Sequence, residues 1–238
     1  MSEFSNRVVI VTGATGNLGT AVAHTFDKAG AKLALFDRNL DHVQHQFSAW
    51  DGSERHLFVA PVDATDSDSM RQAVAQVVAR WGAPYALVNI VGGYRAGDLV
   101  HETSLETWDF MLDLNARSAF LAAQIVVPHM LETGAGTIIN IGARPGLKGT
   151  ARHAAYAVAK AGVIRLTESL SAELKQQGVR VNCILPGTID TPQNREQMPD
   201  ADFERWVTPE ALAAVIYFLC SDAAAAIHGA AIPAYGLT

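Results

Sequence analysis

Tyr156 and Lys160 stand four residues apart in the run His153-Ala154-Ala155-Tyr156-Ala157-Val158-Ala159-Lys160, a spacing that puts both side chains on one face of a helix. A phenol titrates near pH 10 when unperturbed, and needs a fixed cation beside it to become a useful acid or base near neutrality. Lys160 supplies one. A tyrosine and a lysine one turn apart are an ordinary feature of helix surfaces, so the surroundings decide. Here they are alanines and Gly162, which let a ligand come close.

A second chemical feature lies near the N-terminus, where Thr12-Gly13-Ala14-Thr15-Gly16-Asn17-Leu18-Gly19 follows an apolar run and opens a helical one. Glycine lets the backbone turn tightly and approach a pyrophosphate, and the free N–H groups at a helix start attract its charge. Gly13, Thr15, Gly16, Asn17 and Leu18 are therefore expected to hold a dinucleotide. Asp37, 18 residues beyond Gly19, ends the second strand where it can accept from ribose hydroxyls and repel a 2′-phosphate. NAD(H) is preferred on that ground, while Arg38 could swing toward a phosphate, so NADP(H) stays open. Asp63, with Ala64 after it, is placed to accept from an adenine amino group. Asn89 and Gly92 follow the fourth strand, at the carboxyl ends where ligands enter open α/β sheets.

These residues need a scaffold, and the hydrophobic pattern supplies it. Short runs rich in Val, Ile and Leu at residues 8–12, 32–37, 57–62, 86–91, 137–141, 179–185 and 230–234 alternate with helical patterns at 18–29, 41–50, 67–81, 105–132, 154–177 and 209–220. The strand runs are nearly continuous in apolar residues, as burial on both faces of a parallel sheet requires. The expected architecture is α/β: a doubly wound Rossmann fold with a seven-stranded parallel sheet and helices on both faces. No linker divides the chain, so residues 1–238 read as one domain. Residues 188–208, polar and carrying Pro192 and Pro199, read as a substrate lid.

Composition narrows the function classes. With 238 residues, 49% hydrophobic and 18% charged, the chain buries an ordinary core. A net charge of −6 with no concentrated Lys and Arg leaves no footprint for nucleic acid. Apolar runs such as residues 211–220 are about half a membrane span, so no membrane partner is expected. Residues 1–7 are polar and run straight into the first strand, without room for a secretory signal, and the chain is expected in the cytoplasm. Cys183 and Cys220 read as buried apolar thiols there. His42 and His45 share a helical face, but no further ligand lies at metal spacing, and no metal is expected.

Taken together, these motifs resemble the short-chain dehydrogenase/reductase family over nearly the full length. The likeness rests on Gly13 to Gly19, Asp63, the Asn89 to Gly92 run, Asn115 in Leu114-Asn115-Ala116, Tyr156 with Lys160, Pro186-Gly187-Thr188-Ile189-Asp190-Thr191, and Pro209-Glu210 opening the last helix. It implies that Tyr156 is the general acid/base and that Lys160 binds the nicotinamide ribose and lowers the tyrosine pKa. Asn115 would interrupt a helix and hold a water of the proton relay, and Pro186, Ile189 and Thr191 would flank the carboxamide. It also implies a homodimer or homotetramer built on the helices at 105–132 and 154–177.

Two departures stand out. Ala143 occupies the place of the family's serine, thirteen residues before the tyrosine, and Asn17 replaces the middle glycine of the usual turn. Both are similar to the dihydropteridine reductase subgroup, as are Gly92-Gly93-Tyr94 and the run from Asp190 to Trp206. Asn115 and the tail Ala234-Tyr235-Gly236 do not follow it. The leading expectation is an NADH-dependent reductase of a small planar acceptor such as a quinonoid dihydropterin, with Tyr94 and Trp206 offering flat faces beside Ala143. A carbonyl reductase or alcohol dehydrogenase lacking the serine is the alternative, and a non-catalytic NAD-binding sensor the third.

Overall fold

The computed structural model describes residues 3–238, so Met1 and Ser2 of the N-terminal segment lie outside the described residues. Seven strands, β1 (Val8–Thr12), β2 (Lys32–Phe36), β3 (His56–Val59), β4 (Ala86–Asn89), β5 (Gly136–Ile141), β6 (Val179–Pro186) and β7 (Ala231–Ala234), form one sheet in the order β3-β2-β1-β4-β5-β6-β7. Every pairing is parallel. The chain winds outward from β1 to β3, then returns to place β4 on the other side of β1. Loops leaving β1 and β4 therefore diverge to opposite faces and open a crevice between them.

Helices cover both faces: α1 (Asn17–Lys28), α2 (Leu40–Gln46), α3 (Ser67–Trp81), α4 (Leu105–Leu112), α5 (Ser118–Thr133), α6 (Ala154–Leu174), α7 (Pro192–Gln197) and α8 (Pro209–Cys220). Successive strand side chains point to opposite sides. Val9 and Val11 pack with Phe26, Leu212 and Ile216 in one core layer, and Val8 and Ile10 with Met70, Val74 and Val126 in the other. Side-chain caps start α3 (Asp66), α4 (Ser104) and α8 (Thr208), each worth about 1 kcal/mol.

The architecture follows the expectation from sequence, with local differences. β3 starts at His56 and stops at Val59, ahead of Pro61, which has no N–H for a ladder. The helix expected over 41–50 divides into α2 and a 3₁₀ turn, Ser48–Trp50, where Phe47 enters the core. The helix expected over 105–132 is broken by a π turn, Asp113–Arg117. By length and apolarity the span Leu105–Thr133 passes as membrane-crossing, but half of its most apolar window is buried inside the fold, as in a core helix. Cys183 and Cys220 are free and buried.

Residues 188–208, expected to form a lid, have more structure than their polarity suggests. Ile189 pairs with Val207 across the neck of this segment, where Asp190 N–H donates to the Val207 carbonyl at 2.8 Å and Val207 N–H to Thr188 at 3.0 Å. Beyond the neck, Asn17 Nδ2 donates to Gln193 Oε1 at 2.9 Å and fastens α7 to the start of α1.

Candidate active site

A cavity of about 600 Å³ occupies the crevice between β1 and β4. The glycine turn forms its floor. Gly13 has φ +65°, and a Cβ on Gly19 would stand 2.2 Å from the Gly13 carbonyl oxygen and 2.8 Å from that of Ala14. Only glycine permits this approach of helix to turn. Whereas α3, α4 and α8 are capped by side chains, α1 has Gly16 at its N-cap and no capping side chain. Its first N–H groups remain as donors for an anion. A dinucleotide's phosphates fit this cradle.

Thr15, Gly16, Asn17, Leu18, Asp37, Asp63, Ala64, Gly92, Ile189 and Thr191 all line the cavity. Asp37 is partly committed: its Oδ2 accepts from Thr15 N–H (3.0 Å) and Oγ1 (2.7 Å), and its Oδ1 from Arg38 N–H (2.8 Å). Three of a carboxylate's roughly four acceptor positions are thus taken. Asp63 Oδ1 accepts from Thr65 Oγ1 at 2.7 Å and N–H at 2.8 Å, and these bonds, with Arg38 nearby, hold its carboxyl below the usual range. Thr191 Oγ1 accepts from Asn194 N–H and starts α7, while Pro186 ends β6.

Asn89 departs from expectation. It stands opposite Asn140 in the sheet register, and its Nδ2 donates to Asn140 Oδ1 at 2.9 Å, with Asn140 Nδ2 donating in turn to Thr167 Oγ1 at 2.9 Å. The amide therefore turns into the sheet and braces β4, β5 and α6, away from the cavity lining.

Asn115 and Lys160 converge beside Gly92. A Cβ there would meet Asn115 Oδ1 at 2.9 Å and Lys160 Nζ at 3.3 Å. Asn115 is buried in the π turn, a wide turn frequent at functional sites. Its Oδ1 accepts from Gly93 N–H (3.2 Å), and its Nδ2 donates to the carbonyls of Gly93 (3.1 Å) and Met111 (2.9 Å). Lys160, also buried, donates to the Ile141 carbonyl at 2.8 Å, and burial pulls its pKa down to about 8.

Tyr156 packs near Met111, Ala155 and Ala159, and burial pushes its pKa up to about 12, with Tyr94 adding to the rise. This corrects the expectation that Lys160 lowers it. The ammonium lies 5.9 Å from the phenol ring centroid and is engaged by Ile141, so apolar burial wins. The phenol stays protonated at neutral pH, suited to donating a proton.

Ala143 is buried at the end of β5, before a 3₁₀ turn, Arg144–Gly146. That turn presses on α6 so tightly that a Cβ on Gly146 would fall 2.8 Å from the Lys160 carbonyl carbon. Tyr94 stands beside Tyr156, its ring edge-on with centroids 4.9 Å apart, though neither ring lines the cavity itself. Trp206 has no such contact: it is buried against Phe203 at 4.8 Å and does not line the cavity either. Sequence reasoning missed His153, whose Nε2 lies 2.9 Å from the Tyr94 hydroxyl, and the apolar lining from Val62, Met70 and Phe110. His153 sits one turn before Tyr156, but nothing in the sequence links it to a loop 59 positions away.

Comparison with known proteins agrees with this geometry. Residues 7–202 match the family model for short chain dehydrogenase. The chain is 31% identical over 239 residues to the 3-oxoacyl-(acyl-carrier-protein) reductase FabG of Thermotoga maritima, covering 97% of this chain and 96% of that one. It is 33% identical to a D-threitol dehydrogenase of Mycolicibacterium smegmatis, over 96% of this chain and 91% of the other. Among solved structures, ElxO with NADP bound superposes with a TM-score of 0.88 at 25% identity, with 97% of each chain covered.

Proposed function

The chain belongs to the short-chain dehydrogenase family and is an NAD(P)-dependent oxidoreductase, and on that premise we propose that it interconverts a carbonyl and a secondary alcohol on a small molecule, with Tyr156 exchanging the proton. The observation that carries this reading is the meeting of buried Lys160 and Asn115 at Gly92, which lines the cavity, with Tyr156 one turn before Lys160 on α6. A pure binding module would have no use for a protonated phenol held there.

The nicotinamide cofactor, when bound, supplies or accepts the hydride. The glycine turn and the open start of α1 would hold its phosphates, Asp37 a ribose, Asp63 and Ala64 the adenine, Lys160 the nicotinamide ribose, and Ile189 and Thr191 the carboxamide edge. Tyr156 donates its proton to the substrate oxygen in reduction and recovers it in oxidation. Asn115 fixes the Gly93 backbone beside it and so sets the depth to which a substrate enters.

NAD(H) is the preferred form on this reading, because Asp37 would set a carboxylate against a 2′-phosphate. Fluorescence titration should give tighter binding of NADH than NADPH, with Asp37→Ala narrowing the gap by about tenfold, the worth of roughly 1.4 kcal/mol. Tighter NADPH binding by the parent protein would mean that Arg38 dominates.

Ala143 favours a second reading, reduction of a quinonoid dihydropterin. A quinonoid ring takes hydride and proton without building an alkoxide, so one proton donor is enough. NADH oxidation measured in parallel with quinonoid dihydropterin and a 3-oxo ester, and NAD reduction with a sugar alcohol, tests both readings. Turnover of the pterin alone would overturn the carbonyl reading, and turnover of none of them would overturn both.

We also propose a homo-oligomer. Leu105 (79% exposed), Phe120 (46%) and Val158 (46%) place exposed apolar side chains on α4, α5 and α6, which a second copy would cover in a symmetric contact. Light scattering should report at least a dimer, and a stable monomer at micromolar concentration would overturn this.

A further inference from the structure

We propose that Tyr94, governed by His153, makes the second contact to the substrate oxygen, the one Ala143 has no hydroxyl to make. The proposal rests on the carbonyl-reductase reading above.

Tyr94 follows Gly92-Gly93, the loop clamped by Asn115, and its ring stands edge-on to Tyr156, interplanar angle 89°. It is 57% exposed yet held from two directions. Its hydroxyl meets His153 Nε2 at 2.9 Å. Its loop is braced by Gly97 N–H donating to the Arg152 carbonyl at 2.9 Å and by Arg152 Nη1 donating to the Gly97 carbonyl at 2.6 Å.

The hydrogen bonds of His153 define what Tyr94 can do. Nδ1 lies 2.7 Å from the Ala151 carbonyl oxygen, which can only accept, so Nδ1 carries a hydrogen and Nε2 faces the phenol. With neutral imidazole, Nε2 accepts from the Tyr94 hydroxyl. With imidazolium, Nε2 donates to the phenol oxygen, and the phenol hydrogen is free for a third atom. The ring is faced by Tyr94 from the loop after β4, and the guanidinium of adjacent Arg152 is bound to the Gly97 carbonyl. The described histidines within ion-pair reach of a carboxylate are His56, His101 and His129, so no described acid competes for the His153 ring.

During reduction, negative charge builds on the carbonyl oxygen as hydride adds to carbon. Tyr156 transfers its proton to that oxygen and closes the O–H bond. Tyr94 donates a hydrogen bond to the same oxygen and keeps its proton, and solvent restores the proton of Tyr156. Loss of one such donor typically costs about 10²–10³ in rate.

The test follows NADH oxidation with a 3-oxo ester for the parent, Tyr94→Phe, Ala143→Ser and the double variant, with Tyr156→Phe as reference. Tyr94→Phe should lower turnover by about 10²–10³-fold, and Ala143→Ser should recover at least tenfold of that in the double variant while improving the parent far less. His153→Gln, whose amide N–H can still donate to the Tyr94 oxygen, should keep the Tyr94→Phe penalty, and His153→Ala should reduce it. Histidine-ring NMR of the NADH complex gives a readout free of turnover, in which Tyr94→Phe should shift the His153 signals. A Tyr94→Phe penalty below about threefold, or one of equal size in the parent and in the Ala143→Ser background, would overturn the proposal and leave Tyr94 as packing for Tyr156. If Tyr156→Phe keeps full turnover, the carbonyl reading itself fails, whatever Tyr94 does.

Discussion

Tyr156→Phe is expected to lower turnover by about 10²–10⁴-fold, the range a positioned proton donor contributes, while NADH binding stays close to that of the parent. Two observations separate the effects. The phenol packs against an apolar cluster that a phenyl ring fills equally well, so the fold loses little. The cradle for the phosphates is made by the glycine turn and the uncapped start of α1, which line the cavity, whereas Tyr156 is not among the lining residues. Because burial raises the Tyr156 pKa to about 12, the donor form persists across the neutral range. In the free enzyme, the reduction rate should not fall through loss of the Tyr156 proton until strongly alkaline pH. Stopped-flow binding of NADH and steady-state turnover on one sample check both halves. Loss of binding together with turnover would point to a collapsed site and remove the assignment.

Gly19→Ala should produce the largest effect on the cofactor. Its new methyl group would sit 2.2 Å from the Gly13 oxygen, with the Ala14 carbonyl at 2.8 Å. Both obstacles are backbone, so turn and helix must part. Overpacking of this kind costs about 1–3 kcal/mol of stability, and the displaced turn should weaken NADH binding by at least about tenfold, or 1.4 kcal/mol. Gly162→Ala, in α6, is the control: its methyl would meet Ala116 Cβ at 3.6 Å, ordinary contact. That substitution should be neutral or stabilise by up to about 1 kcal/mol. Calorimetry of both variants with and without NADH decides, and an intact cofactor affinity in Gly19→Ala would show that the turn can relax without consequence.

The features of this protein that are legible in its sequence are those written locally. Apolar runs of strand length alternating with helical periods specify the sheet, and the glycine turn is recognisable because it lies between a strand and a helix. The pairing of Tyr156 with Lys160 needs only helical spacing. Properties set by distant neighbours are not legible in the same way. Asn89 has the position of a ligand-facing residue at a strand end, but the register places Asn140 opposite it and turns its amide inward. Trp206 has the makings of a ring platform in a loop, but the folded segment 188–208 buries its surface. The tyrosine pKa follows from how much apolar surface covers the ring, and no spacing of charges reveals that.

The π turn at Asp113–Arg117 shows a different kind of encoding. An α-helix turns by roughly 100° per residue, and a π turn absorbs one residue more than an α turn does. Thus α4 and α5 keep the register of an unbroken helix one residue shorter, with Met111 of α4 in one buried cluster and Val126 and Met130 of α5 in another. The surplus residue changes little for the fold. It serves Asn115, whose amide spans both polar groups of Gly93 from the widened turn. At this point the number of residues, as much as their kinds, carries the chemistry, and a comparison that weighs substitutions alone passes over it.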